Sequence, residues 1–185
     1  LDDAERLERL GVPVYTISIP TLEAVFSTIE QTGDLLDVRE QARALVASLR
    51  ERIDRVRRAA AGRAPLRVLF VIEPDPLIAP GRQTFIGEAL AAAGAELVTA
   101  RTGSSWAQYD MEQVIGLKPE MILTPEANRA WAAGLARQAG WLKVPAVPAG
   151  RIFVVSDAIQ HPGPRLVDGI EEVAAIVERA RSHSE

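Results

Sequence analysis

The sequence has no cysteine, only two histidines, and aromatic residues at 5% of its 185 positions. Without cysteine there is no disulfide framework, no thiolate metal site and no thiol nucleophile, and either redox compartment remains open. His183 lies in a polar tail and His161 stands alone, so no second imidazole completes a zinc site. No apolar run approaches the roughly 20 residues of a membrane span. Charge is mixed, with a net value of −4, and no clustered basic face points to nucleic acid. A Gly-x-Ser-x-Gly elbow, a Walker A loop and a Gly-x-Gly-x-x-Gly fingerprint are all missing, as is any repeat at solenoid spacing. Ser156, Asp157 and His161 are close in sequence, but the members of a hydrolase triad converge from separate loops. Glu73 and Asp75 offer an acid/base pair or, alternatively, a strand end and a turn residue held between Pro74 and Pro76. Catalysis is poorly supported, and a binding function is left by elimination.

What is present is enough apolar sequence, 48%, for a real core in one domain or one and a half. Residues 2–10 read as a helix, with no signal segment. Residues 11–19 read as a buried strand with no earlier strand beside it, so the chain is expected to begin mid-domain. Thr21 caps a short helix carrying Leu22, Val25, Phe26 and Ile29, which Gly33 ends, and residues 34–37 re-enter helix. From 38 to 61 runs one amphipathic pattern, with Val38, Ala42, Leu45, Leu49, Ile53 and Val56 on its apolar stripe. Its other face carries Arg39, Arg43, Arg50 and Arg57, either a solvated face or a basic surface for a partner.

After residue 65 strands alternate with helices. Strands are expected at 66–72, 96–98, 121–124 and 151–155, and helices at 84–93, 110–117, 127–139 (broken by Gly134) and 166–180. Strands that are continuous apolar runs argue for a mainly parallel sheet covered on both faces. Three connections follow strand ends: a Pro-rich loop at 73–81, a polar loop at 99–109 and a loop at 156–165. In an open parallel sheet these line one edge, where ligands bind. Trp106 and Tyr109 in the second are either packed over the core or ligand-facing. Leu77 and Ile78 add apolar surface, as a large, partly hydrophobic ligand needs. The third contains His161-Pro-Gly-Pro-Arg-Leu-Val-Asp-Gly169, whose prolines and glycine fix a tight turn ahead of the last helix.

Six segments together resemble a known family: Val71-Ile-Glu-Pro-Asp-Pro-Leu77, Gly81-x-x-x-Phe-Ile-Gly-Glu88, Trp106-x-x-x-x-x-Glu112, Lys118-Pro-Glu-Met-Ile-Leu123, Ala149-Gly-Arg-Ile-Phe-Val-Val155 and the His161 to Gly169 turn. In this order and spacing they resemble the periplasmic binding proteins of cobalamin, ferric-siderophore and haem ABC importers, and most closely the cobalamin (vitamin B12) branch. The resemblance implies an α/β fold of two Rossmann-like lobes joined by a long rigid helix. Residues 1–36 would be the remnant of an N-terminal lobe, 37–62 the joining helix and 63–185 a complete C-terminal lobe. It implies a non-catalytic, extracytoplasmic protein that captures its ligand between the lobes and delivers it to a membrane permease, with no cofactor of its own. Trp106 is similar to a tryptophan that packs on the corrin, and Leu77, or Ile78 as a competing match, to an apolar ligand contact. Asp157, Gln160 and His161 fall where polar groups meet the corrin amides, although the cobalamin pattern has an acid and an arginine at the last two positions. His161 would also be able to approach a metal centre. Glu112 is similar to a glutamate that docks on permease arginines. A siderophore or haem ligand is the alternative, with Arg82 and Arg101 available in the loops, and a Rossmann-like enzyme domain is the alternative of a different class.

Overall fold

The computed structural model describes residues 2–81, 83–101 and 106–182, without the side chains of Asp2, Ala100 and Arg101. Arg82, the Arg101 side chain and His183 therefore lie outside the described residues. In chain order the elements are α1 (Asp2–Arg9), α2 (Leu22–Leu35), α3 (Arg39–Ala60), β1 (Leu66–Phe70), β2 (Glu73–Pro74), β3 (Leu77–Pro80), α4 (Phe85–Ala92), β4 (Ala95–Leu97), β5 (Trp106–Gln108), α5 (Met111–Leu117), β6 (Met121–Pro125), α6 (Arg129–Gly134), β7 (Ile152–Val155) and α7 (Leu166–Ser182). Single 3-10 turns occupy 98–101, 126–128, 135–137, 141–143 and 157–160.

Four strands form a parallel sheet in the order β4-β1-β6-β7. Side chains alternate across its two faces. Val68, Phe70, Met121 and Leu123 face a core shared with α4 and α7. Leu69, Val71 and Ile122 face a second cluster built on Val114, Leu135, Trp141 and Val144. The sheet is thus covered on both sides, as continuous apolar strands require. Local signals set the helix starts: Thr21 and Thr84 cap α2 and α4 with their hydroxyls.

Helix α3, 22 residues long and so about 33 Å, packs on α2, α4 and α7. Its buried residues are Ala42, Val46, Leu49 and Ile53, steps of four, three and four. The sequence reading placed Leu45 on this stripe; it is 39% exposed, and Val46 faces inward instead. Three further expectations are corrected. Helix α2 does not end at Gly33 but runs to Leu35, and the chain turns at Asp37 with φ 57°. Gly33 is there for close approach: a Cβ on it would lie 2.3 Å from the Ala42 Cβ of α3. Residues 11–19 form no strand; Val12, Tyr15 and Ile17 are exposed, because no neighbouring strand takes their backbone hydrogen bonds. The segments 73–81 and 99–109 are not simply loops, since β2, β3 and β5 assemble from them into a three-stranded antiparallel sheet.

Five arginines of α3 are paired within the molecule, whereas Arg43 and Arg58 have no ion pair among the described residues. Arg52 reaches α7, bonding Asp168 at 2.7 Å and both Glu171 oxygens at 2.9 and 2.6 Å. Arg50 pairs with Glu23 and lies 4.5 Å above the Phe26 ring. Arg39 pairs with Asp34, and Arg57 with Asp54. These contacts fit the solvated-face reading better than a basic docking surface.

Candidate functional site

The strand order creates a switch point. Chain leaving β1 crosses to β4 on one side, and chain leaving β6 crosses to β7 on the other, so a crevice opens between the carboxyl ends of β1 and β6, the usual ligand edge of such sheets. Here it is bridged by buried polar side chains. Thr124 donates to the Val71 carbonyl at 2.8 Å, and the Asn128 amide donates to the Ile72 carbonyl at 2.8 Å and to the Thr124 hydroxyl at 2.9 Å. Thr99 donates to the Pro80 carbonyl at 2.6 Å and Thr84 to the Gly81 carbonyl at 2.9 Å. These four are the buried polar side chains among the described residues, and all of them fix backbone leading into or out of the antiparallel sheet. A buried carbonyl without a partner is costly, so the geometry of that sheet is tightly specified.

The antiparallel sheet is a two-faced platform. Residues directly opposite each other share a face, and the register pairs Glu73 with Ile78, Ile78 with Gln108 and Pro80 with Trp106. One face therefore carries Glu73, Ile78, Pro80, Gln108 and Trp106. The other carries Leu77, Ala79, Ala107 and Tyr109, which pack into the second core. Trp106 is 45% exposed, and Glu73 and Gln108 are exposed with Ile78 half-buried. Of the two competing apolar positions, Ile78 is on the outer face and Leu77 supports it from beneath. Gln108 was missed by the sequence reading; its signal was the two-residue step from Trp106, hidden because the segment read as a polar loop. Tyr109 resolves as core.

Beyond β7 the chain makes the 3-10 turn 157–160. Gln160 donates to Asp157 at 3.4 Å, and the His161 Nδ1 lies 2.7 Å from the Asp157 carbonyl. A carbonyl only accepts, so Nδ1 carries the proton in the neutral ring and Nε2 is left as the acceptor. The turn is held from below by α7. A Cβ on Gly169 would meet the Ile159 backbone nitrogen at 2.6 Å, and the Glu172 carboxylate accepts from the Ser156 amide and hydroxyl. Because Ser156 bonds Glu172 rather than His161, these residues do not form a nucleophile and base. The order of the strands places β6 between β1 and β7, so the strands from which the platform and the turn continue stand about 10 Å apart. A fourth segment, which the sequence reading did not count, follows β6: Glu126 and Arg129 form an exposed bidentate pair at 2.5 Å. The guanidinium holds the Glu126 carboxyl below its ordinary range.

Glu112 sits apart from both groups, on the first turn of α5. That helix is capped by Asp110 and Gln113, each side chain accepting from the other's backbone amide at 2.8 and 2.9 Å. The cap leaves Glu112 exposed, with no side-chain partner among the described residues. No group of three or more metal-ligating acids and histidines occurs among the described residues. A hollow of about 510 Å³ between the start of β7 and the end of α7, lined by Arg151, Phe153 and Arg179, lies at the opposite end of the strands.

A family model described as periplasmic binding protein matches residues 1–158. The chain belongs to the periplasmic binding protein family. Within it, the chain is 27% identical over 173 residues to the vitamin B12-binding protein of Vibrio parahaemolyticus, covering 92% of this chain and 62% of that protein. It is 28% identical over 180 residues to an uncharacterized ABC transporter substrate-binding lipoprotein of Bacillus subtilis, covering 94% and 56%. The chain thus spans about three fifths of the length of these relatives. Among solved structures, the periplasmic haem-binding protein of Roseiflexus sp. RS-1 in its apo form superposes with a TM-score of 0.85 at 24% identity, over 97% of this chain and 72% of that one. The periplasmic vitamin B12-binding protein of Vibrio cholerae gives 0.76 at 22% identity, over 97% and 70%. At these identities the two structures establish the shared α/β fold of such binding proteins and nothing finer.

Proposed function

We propose that this chain forms one wall of the ligand cleft in the substrate-binding component of an ABC importer, and that its ligand is cobalamin. The observation that carries the reading is exposed Trp106, on one sheet face with half-buried Ile78, at the carboxyl edge of a parallel sheet, in a chain similar to vitamin B12-binding proteins along nearly its whole length. A flat macrocycle packs on such a face by burial of apolar area and aromatic stacking. In this proposal Trp106 and Ile78 carry the ring, with Leu77 supporting them, and Asp157, Gln160 and His161 meet polar groups of its rim. Residues 1–36 belong to the opposite wall, 37–62 form the stiff connection and 63–185 form the lobe described above. The protein acts outside the cytoplasm, without catalysis. Glu112 grips a basic socket on the permease, an exposed carboxylate being suited to fixing orientation and discriminating partners.

Titration of the complete protein with cyanocobalamin, haem and a ferric siderophore, followed by tryptophan fluorescence, tests the ligand. Saturable quenching by cyanocobalamin alone supports the reading, and no binding of any of the three returns the enzyme alternative. Glu112→Arg should leave ligand affinity unchanged and abolish uptake; normal transport by that variant removes the docking role.

One observation favours a second reading, haem binding. The Asp157 carbonyl holds His161 in the tautomer that leaves Nε2 as the acceptor, the form in which imidazole ligates a metal. Haem quenching with a shifted Soret band, lost in His161→Ala, would select it.

A further inference from the structure

The outer face of the platform is organised in rows, and resting on the ligand-binding reading above it says more about the ligand. Pro80 and Trp106 form one row. Two residues along, about 7 Å away, Glu73, Ile78 and Gln108 form the next. Pro80 is buried and Trp106 is exposed, so a flat ring lying on Trp106 brings its rim over the second row. There it meets an apolar residue flanked on one side by a carboxamide and on the other by a carboxylate. Neither the Gln108 nor the Glu73 side chain has a hydrogen bond or ion pair among the described residues, and both are exposed, so each presents its polar group to whatever lies there.

The two groups differ in what they accept. A carboxamide both donates and accepts, and so pairs with another amide in either orientation. An ionised carboxylate only accepts. It favours a rim of N–H donors and repels a rim carboxylate. Asp75, in the turn beside Glu73, and Asp157 across the edge are also exposed and add to that repulsion. We infer that Gln108 and Glu73 are specificity-determining residues, reading the ligand rim and selecting an uncharged, primary-amide-bearing macrocycle over one whose rim carries carboxylates. Gln108 supplies affinity for the amide, and Glu73 supplies discrimination against the acid.

The test uses the complete protein and three probes: cyanocobalamin, its monocarboxylic acid derivatives with one rim amide hydrolysed, and haem. Affinities are measured by calorimetry for the unsubstituted protein and for Gln108→Leu, Glu73→Gln and Trp106→Ala, with circular dichroism and melting temperature to show that each exposed substitution leaves the fold intact. Gln108→Leu should weaken cyanocobalamin about tenfold, the scale of one lost hydrogen bond with its partner left unpaired. Unsubstituted protein should bind cyanocobalamin at least about tenfold more tightly than the acids, and Glu73→Gln should narrow that gap to about threefold or less. Should both variants keep the unsubstituted affinities and the unsubstituted gap while Trp106→Ala loses binding, the rim assignment is overturned and the cobalamin reading survives. Should haem bind and cyanocobalamin not, both fall together.

Discussion

The helical flank and the strand-end edge of this molecule are held together by different chemistry. On the flank, α3 is tied to its neighbours by ion pairs that remain partly exposed. Arg52 joins Asp168 and Glu171, Arg50 joins Glu23, and Arg63 and Arg181 share Glu178. On the edge, the backbone is held by neutral, buried groups: Thr84, Thr99, Thr124 and Asn128. Of the charged groups there, Glu73 is left facing outward. The flank has an extended helix face to orient, and long side chains reach across it. Beneath the edge there is no water to screen a charge, so short hydroxyls and one amide satisfy the carbonyls at lower desolvation cost. Most of the flank charges are paired internally, whereas on the edge Glu126 pairs with Arg129 and Glu73 stands without a partner among the described residues.

The contrast can be broken most severely at Asn128. Asn128→Leu strips the Ile72 carbonyl and the Thr124 hydroxyl of their donor. It is expected to cost about 2 kcal/mol, a drop of several degrees in melting temperature, with ligand affinity falling as the platform loosens. Trp106→Ala should do the reverse, leaving the melting temperature within about a degree while costing roughly 2 kcal/mol of ligand affinity, the scale of an interface hot spot. An equal loss of stability in that variant would move Trp106 from the ligand surface into the core.

Smaller again is Glu171→Gln on the flank. Hydrogen bonds from Arg52 hold the Glu171 carboxyl below its ordinary range, and Arg50 and Arg63 do the same for Glu23 and Glu178. A carboxyl whose folded pKa is depressed contributes stability that is fully present above its unfolded pKa, about 4.3, and lost as pH falls through the folded value. All three pairs are substantially exposed, so screening limits each to less than about 1 kcal/mol. A series of melting temperatures from pH 7 down to pH 3 should therefore show a decline that begins near pH 5. In Glu171→Gln it should start lower at pH 7 and fall less steeply. A parallel decline in the variant would assign the acid sensitivity elsewhere. Asn128→Leu, altering no titrating group, should shift the whole series down without changing its slope.

Where each local signal matched its context, the sequence alone located the element. The 3.6-residue period of α3, the hydroxyl cap of α2, and the apolar strands β1, β6 and β7 all stand within a residue or two of expectation. The turn from His161 to Gly169 was legible for a similar reason, because its prolines and glycines restrict the backbone without help from elsewhere. The antiparallel platform was not. Its strands are two to four residues long and contain Pro74 and Pro80, too short for alternation to register. Gln108 was hidden with it, since the face of a strand residue is defined only by its partner strand. Leu45 and Val46 are adjacent apolar residues in one helix, and only the packing of α2 and α7 chose between them.

Sequence by itself determined the fold class, the family, the long helix and the positions of Trp106, Glu112 and His161 along the chain, because periodicity, caps and rigid turns are local properties. Tertiary structure alone decided that Ile78 and not Leu77 faces outward, that Gln108 and Glu73 share the face of Trp106, and that Gly33 and Gly169 are required by close approach. Those outcomes depend on register and contact between segments distant in sequence, which no single stretch of chain specifies.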